Sequence, residues 1–224
     1  MSHQYNPLYN PAAGDTPLPT DPREIEAVLR AASKCYEANP YFSARYPERG
    51  ADFARSDGGY LVTLVEQPLA YVIQQVTWLG TLLACRGVPR WLLENHLLVL
   101  HRELVAALPK RAARYRRLLL AAEMLQAERR TWLTQPQFDA LAIRFMRAAG
   151  PGLTGVGPLP VAAVCDECCG IGKAVPSLVS WLGDPGRFPA RWCTALDACV
   201  AQARTETRQC DGATAIDATA IGAA

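Results

Sequence analysis

Histidine is scarce in this chain: three among 224 residues, at positions 3, 96 and 101, and none beyond. No Glu-x-x-His pair is therefore available of the kind that carboxylate-bridged di-metal bundles use. Long apolar runs are missing too. The most apolar stretch, residues 60–85, is broken by Glu66, Gln67, Pro68, Gln74 and Gln75, whose burial in lipid would be costly, so no membrane span is expected. No segment alternates with period two for long enough to make a strand, and no repeat of solenoid length occurs. Lys and Arg together number 23 against 21 Asp and Glu, so no whole-molecule field collects nucleic acid or anionic lipid.

Catalytic signatures are equally sparse. Gly170-Ile171-Gly172-Lys173 is too short for a phosphate-binding loop and follows a cysteine-rich helix instead of a strand. Ser177 and Ser180 have no histidine in reach along the sequence. We find no catalytic constellation, and the chain does not read as an enzyme.

What is present is helix. Half the residues are hydrophobic and 20% charged, values of a chain that folds. The first twenty residues lack a basic start and an apolar run and carry Pro7, Pro11, Pro17 and Pro19, so they read as a disordered arm and not as an export leader. Eight cysteines without such a leader point to a reducing compartment, hence the cytoplasm.

Asp21-Pro22-Arg23-Glu24 joins a capping side chain, a proline at the first helical position and a carboxylate three residues after the cap. Ile25, Val28, Leu29, Ala32 and Cys35 then keep one face apolar as far as Asn39-Pro40. Residues 41–56 read as a short helical turn or ordered loop. Ser56-Asp57 is expected to cap a second helix that meets Pro68. Leu69, Val72, Ile73, Val76, Leu79 and Leu83 predict another, ending near Arg86 before Gly87 and Pro89. Leu93, Leu97, Leu100, Leu104 and Leu108 predict a helix over 90–108, and Pro109 a reversal into an antiparallel neighbour over 110–130. Thr134-Gln135-Pro136-Gln137 forms a second capping box, and Gly150-Pro151 closes the helix that follows.

Four glycines and three prolines crowd residues 150–160, marking a linker. The expected organisation is an arm at 1–20, a bundle at 21–149, the linker, a cysteine-rich helical segment at 161–210 and a flexible tail at 211–224. The fold class is all-α, a globin-like or up-down helical bundle with a cysteine-rich C-terminal extension.

Residues 41–108 carry a resemblance. Tyr46-Pro47-Glu48 near the start, then the turn Ala84-Cys85-Arg86-Gly87-Val88-Pro89 followed by Trp91 and Leu92, resemble the helical N-terminal domains of RsbR-type stress-signalling proteins, which are globin-like bundles without haem. More distantly they resemble the globin domains of bacterial gas sensors. The resemblance implies a sensing or protein-interaction module. Haem-binding relatives would carry a histidine shortly before the glycine turn, and Leu82-Leu83-Ala84-Cys85 has none, which speaks against haem.

Three features hold candidate chemistry. Cys165, Cys168 and Cys169 sit at i, i+3 and i+4, which on a helix points three sulfurs to one side. Cys193 or Cys199 would supply a fourth ligand for zinc or an iron–sulfur cluster, so Cys165, Cys168, Cys169 and Cys193 are the candidate metal ligands. The bland alternative is that they are small apolar residues of a buried face, and a disulfide between the last two helices is a third. His96 and His101, five apart, diverge by roughly 140° on a helix, so they cannot share an ion. Each could line a ligand pocket between the helices of residues 69–83 and 90–108. Around Arg102, Lys110, Arg111, Arg114, Arg116, Arg117, Arg129 and Arg130 the chain is locally basic, which reads first as a solvated helix face. No helix-turn-helix signature, finger spacing or stacking ladder supports nucleic-acid binding.

The resulting expectation is a sensory or regulatory module that works through a protein partner or a small-molecule ligand, a homodimer being compatible with it. The alternative is a thiolate metal-binding or redox protein.

Overall fold

Asp21 opens the first helix, α1 (Pro22–Ala38), by accepting the Arg23 backbone N–H at 3.0 Å. The structure, a computed structural model, describes residues 6–47 and 49–221, with side chains as far as residue 209. The fold is all-α, and every regular element among the described residues is a helix. After α1 come α2 (Pro40–Arg45), α3 (Arg49–Leu64), α4 (Leu69–Cys85), α5 (Arg90–Ala107), α6 (Ala112–Trp132), α7 (Gln135–Ala149), α8 (Pro158–Cys168), α9 (Ala174–Leu182) and α10 (Ala190–Ile221). They divide between two compact units: Met1–Leu79 with Leu92–Met124, and Gly80–Trp91 with Leu125–Ala224. The Gly/Pro segment 150–160, expected as the internal boundary, therefore lies inside the second unit.

In the first unit α1 packs on α3, burying Ala27, Val28, Ala31, Ala32 and Cys35. The carboxylate expected to complete a capping box, Glu24, is buried instead and accepts from Tyr115 Oη at 2.6 Å and Arg111 Nη1 at 2.8 Å. Helix α3 begins at Arg49, so Ser56 does not cap it. Ser56 is buried mid-helix, its hydroxyl donating to the Phe53 carbonyl at 3.2 Å and accepting from Asn10 Nδ2 at 3.4 Å.

The N-terminal arm is ordered over its described residues, contrary to expectation. Leu8 is buried, and Leu8 and Leu18 lie so close over Gly59 that a Cβ there would meet Leu18 Cδ2 at 2.8 Å. Two leucines have enough apolar surface to hold a segment whose prolines already restrict its unfolded freedom. Residues 1–5 lie outside the described residues.

In the second unit α7, α8, α9 and α10 pack on one another. Trp192 is fully buried between Phe145, edge-on with ring centroids 5.3 Å apart, and Phe188, stacked at 4.9 Å, and its Nε1 donates to the Leu182 carbonyl at 2.9 Å. The capping box at Thr134 forms, with Gln137 Oε1 accepting the Thr134 N–H at 3.0 Å. Backbone that was expected to fray beyond Asp211 continues α10 to Ile221.

Candidate functional site

Helix α4 ends in a turn that only glycine makes without strain. Gly87 takes φ 80°, and the Val88 N–H reaches back to the Leu83 carbonyl at 2.9 Å. Pro89 follows, and Arg90 is the first residue of α5. A helix start leaves backbone donors free. One is satisfied from 76 residues away: the Arg90 N–H donates to Asp166 Oδ2 at 2.9 Å, while Arg90 Nε donates to Asp166 Oδ1 at 2.8 Å. Arg90 Nη1 adds a bond to Glu128 Oε2 at 2.6 Å. Both Arg90 and Asp166 are buried. Burial works against the Arg90 charge, but the charge and hydrogen bonds of Asp166 outweigh it and hold the guanidinium protonated.

Asp166 belongs to the cysteine motif, and around it the four candidate metal ligands part company. Cys165 turns into the core, where burial pushes its thiol far above the ordinary range. Cys168 lies within electrostatic range of Arg204, whose guanidinium is paired with Glu167. The helix ends at Cys168, so Cys169 leaves the helical register as the C-cap residue. Cys193 donates its S–H toward the carbonyls of Gly183 at 3.4 Å and Phe188 at 3.8 Å, in the loop between α9 and α10. Among the described residues no group of three or more His, Cys, Asp and Glu side chains is arranged to hold a metal ion. The expected zinc or iron–sulfur set of Cys165, Cys168, Cys169 and Cys193 is thus not assembled: the helix stops before the third sulfur can align with the first, and the fourth is engaged elsewhere.

Cys169 has a different environment from the other described thiols. Its Sγ is an acceptor, taking the indole Nε1–H of Trp132 at 3.2 Å, and it lies within electrostatic range of the Arg90 guanidinium. The indole N–H turns its positive end toward the sulfur, and the residue is only partly buried. Cys35 and Cys199 are buried, with thiols pushed up to about 11 and about 12 by desolvation. Sequence reasoning missed Arg90, Glu128 and Trp132. The one available signal was the pair of acids set between the cysteines, Asp166 and Glu167.

His96 and His101 both lie on α5 and do not converge. His96 Nε2 is buried, without a hydrogen-bond partner among the described residues, and abuts Gly58 of α3, where a Cβ would stand 3.4 Å from it. Burial pushes its imidazole down to about 4, so the ring is neutral near pH 7. His101 is partly buried, and burial together with Arg102 lowers it as well. Of the basic cluster, Arg129 does not face solvent. It is buried with its guanidinium 4.5 Å from the Phe138 ring centroid, and its Nη2 donates to Gln135 Oε1 at 3.1 Å.

Large aromatic rings remain in solvent on α4, with Trp78 56% and Tyr71 43% exposed and seven residues apart on one helical face. No helix among the described residues is long and apolar enough to cross a membrane. Comparison with family models, with curated proteins and with solved structures finds no match to this chain.

Proposed function

We infer that the protein is a regulatory helical module whose input is a chemical change at the Cys169 thiol. The observation that carries this reading is the Trp132 indole N–H aimed at Cys169 Sγ at 3.2 Å. A cysteine used as a chemical sensor needs access and positive potential at sulfur, and Cys169 has both. Towards a peroxide, the sulfur forms an S–O bond as the O–O bond breaks. The sulfur is oxidised to the sulfenic acid, and the departing oxygen takes up the thiol proton and leaves as water or an alcohol.

The signal has a short path into the fold. Cys169 lies three residues beyond Asp166, the residue that holds the start of α5 through Arg90. An oxygen or an adduct on Sγ competes for the Trp132 N–H and for the Arg90 charge, and so loosens that anchor. The RsbR-type resemblance agrees with a sensory role, and the exposed rings of Trp78 and Tyr71 favour a protein contact as the output.

The test is the order in which the thiols of the folded protein react with limiting iodoacetamide, read by peptide mass spectrometry. Among the described thiols Cys169 is expected to react first, and Trp132→Phe to slow it several-fold while the folded helix content is unchanged. Earlier labelling of Cys85, Cys168 or Cys193, or a Cys169 rate indifferent to Trp132→Phe, overturns the reading.

A further inference from the structure

Helix α7 turns Phe138, Leu141, Ala142, Phe145 and Ala149 inward. Its outer face carries Asp139, Ile143 and Arg147, all exposed, Ile143 to 51%. Residues four apart form one row along a helix surface, so acid, branched apolar residue and base stand in line. The row itself lines one side of an open, largely apolar groove of about 610 Å³, which Ala142, Met146, Gly155, Gly157 and Pro158 complete. The wall is firm: a Cβ on Gly157 would meet the Ala142 carbonyl oxygen at 2.8 Å, so this segment lies directly against α7.

The row is symmetric about Ile143 in position and antisymmetric in charge, which is the pattern an isologous contact requires. We propose that this face is a homodimer contact in which α7 pairs antiparallel with α7 of a second copy about a twofold axis through Ile143. Each residue then faces the one equally distant on the other side of the centre. Asp139 of one copy meets Arg147 of the other, and the same pair recurs about 12 Å along the helix. Ile143, on the axis, meets Ile143 of the opposite copy, an apolar contact between the two ion pairs. A parallel pairing would set Asp139 on Asp139 and Arg147 on Arg147, and is excluded by like charge. Asp139 Oδ1 already accepts from Gln135 Nε2 at 2.8 Å on its own helix, leaving Oδ2 to the partner. A foreign protein has no reason to match a charge-reversed palindrome, and a second copy matches it by construction.

A contact centred on one row is small beside the roughly 1,200–2,000 Å² of stable complexes. The dimer is therefore concentration-dependent, with a dissociation constant on the order of 10–100 μM. The experiment is sedimentation equilibrium of the full chain across that range in low salt. Wild type is expected to pass from monomer to dimer. Asp139→Arg and Arg147→Asp, each alone, are expected to stay monomeric, since one gives a doubly basic and the other a doubly acidic row. An equimolar mixture of the two variants is expected to associate at least as tightly as wild type, because each row now complements the other. The substituted side chains are exposed, and unchanged circular dichroism verifies that the variants fold. Wild type that remains monomeric, single variants that still dimerise, or a mixture that fails to associate each overturns the proposal.

Discussion

Arg90 and Asp166, 76 residues apart, meet through two bonds of different kinds, one from the Arg90 side chain and one from its backbone N–H. The carboxylate thus neutralises a buried cation and caps a helix start together, and tethers the glycine turn before α5 to the cysteine helix α8. Removing one member of a buried pair leaves the other charge without compensation, which costs roughly 3–5 kcal/mol. Asp166→Asn is therefore expected to lower the urea midpoint of the second unit sharply. Glu128, the third member, has a side chain 41% exposed, where water screens the pair, so Glu128→Gln should cost about 1 kcal/mol or less. Equal losses in the two variants, followed by tryptophan fluorescence, would show that the pair does not anchor the turn.

The second prediction concerns acid. Burial pushes the His96 imidazole down to about 4, against roughly 6.5 in an unfolded chain. As pH falls below about 6.5, the unfolded chain takes up a proton that the folded chain refuses. Stability from this group is thus complete above that value and is lost as pH falls toward 4, with a difference of about 2 kcal/mol between pH 7 and pH 5. The residue is only partly buried, which makes that figure an upper bound. His101 shifts in the same direction, so the informative comparison is wild type against His96→Gln at both pH values. The variant should lose less stability on acidification than wild type, and parallel losses would mean that the imidazole is charged in the folded state.

Boundaries set by local chemistry were legible in the sequence, and contacts set by tertiary packing were not. Asp21-Pro22, Gly87-Val88-Pro89 and the Thr134–Gln137 box each work through residues within a few positions, and each marks a helix end in the structure. Ser56 has the side chain of a cap, yet Asn10 and the Leu8 and Leu18 contacts on Gly59 belong to a packing that no local pattern announces. The same holds for Glu24, whose spacing fits a capping box and whose partners are Tyr115 and Arg111. At the candidate site, helical spacing placed Cys165, Cys168 and Cys169 together only on the assumption that the helix continues. It stops one residue too early, and the groups that distinguish Cys169 come from α5 and α6.

Two glycines separate rigid from yielding neighbours. Gly157 has ordinary helical angles, φ −49° and ψ −44°, so alanine there meets no backbone strain of its own. Its Cβ would nevertheless stand 2.8 Å from the Ala142 carbonyl oxygen and 2.9 Å from Met146 Cγ. A helix carbonyl cannot step aside without moving α7, so Gly157→Ala is expected to cost roughly 1–3 kcal/mol. A Cβ on Gly59 would come equally near an atom, 2.8 Å from Leu18 Cδ2, but that atom is the free end of a side chain on the N-terminal arm and can rotate away. Gly59→Ala, offset by its higher helix propensity, should therefore change stability by less than about 1 kcal/mol while exposing the arm to limited proteolysis. Urea denaturation beside timed digestion measures both. A large stability loss at Gly59, or none at Gly157, would show that the arm and not α7 is the rigid neighbour.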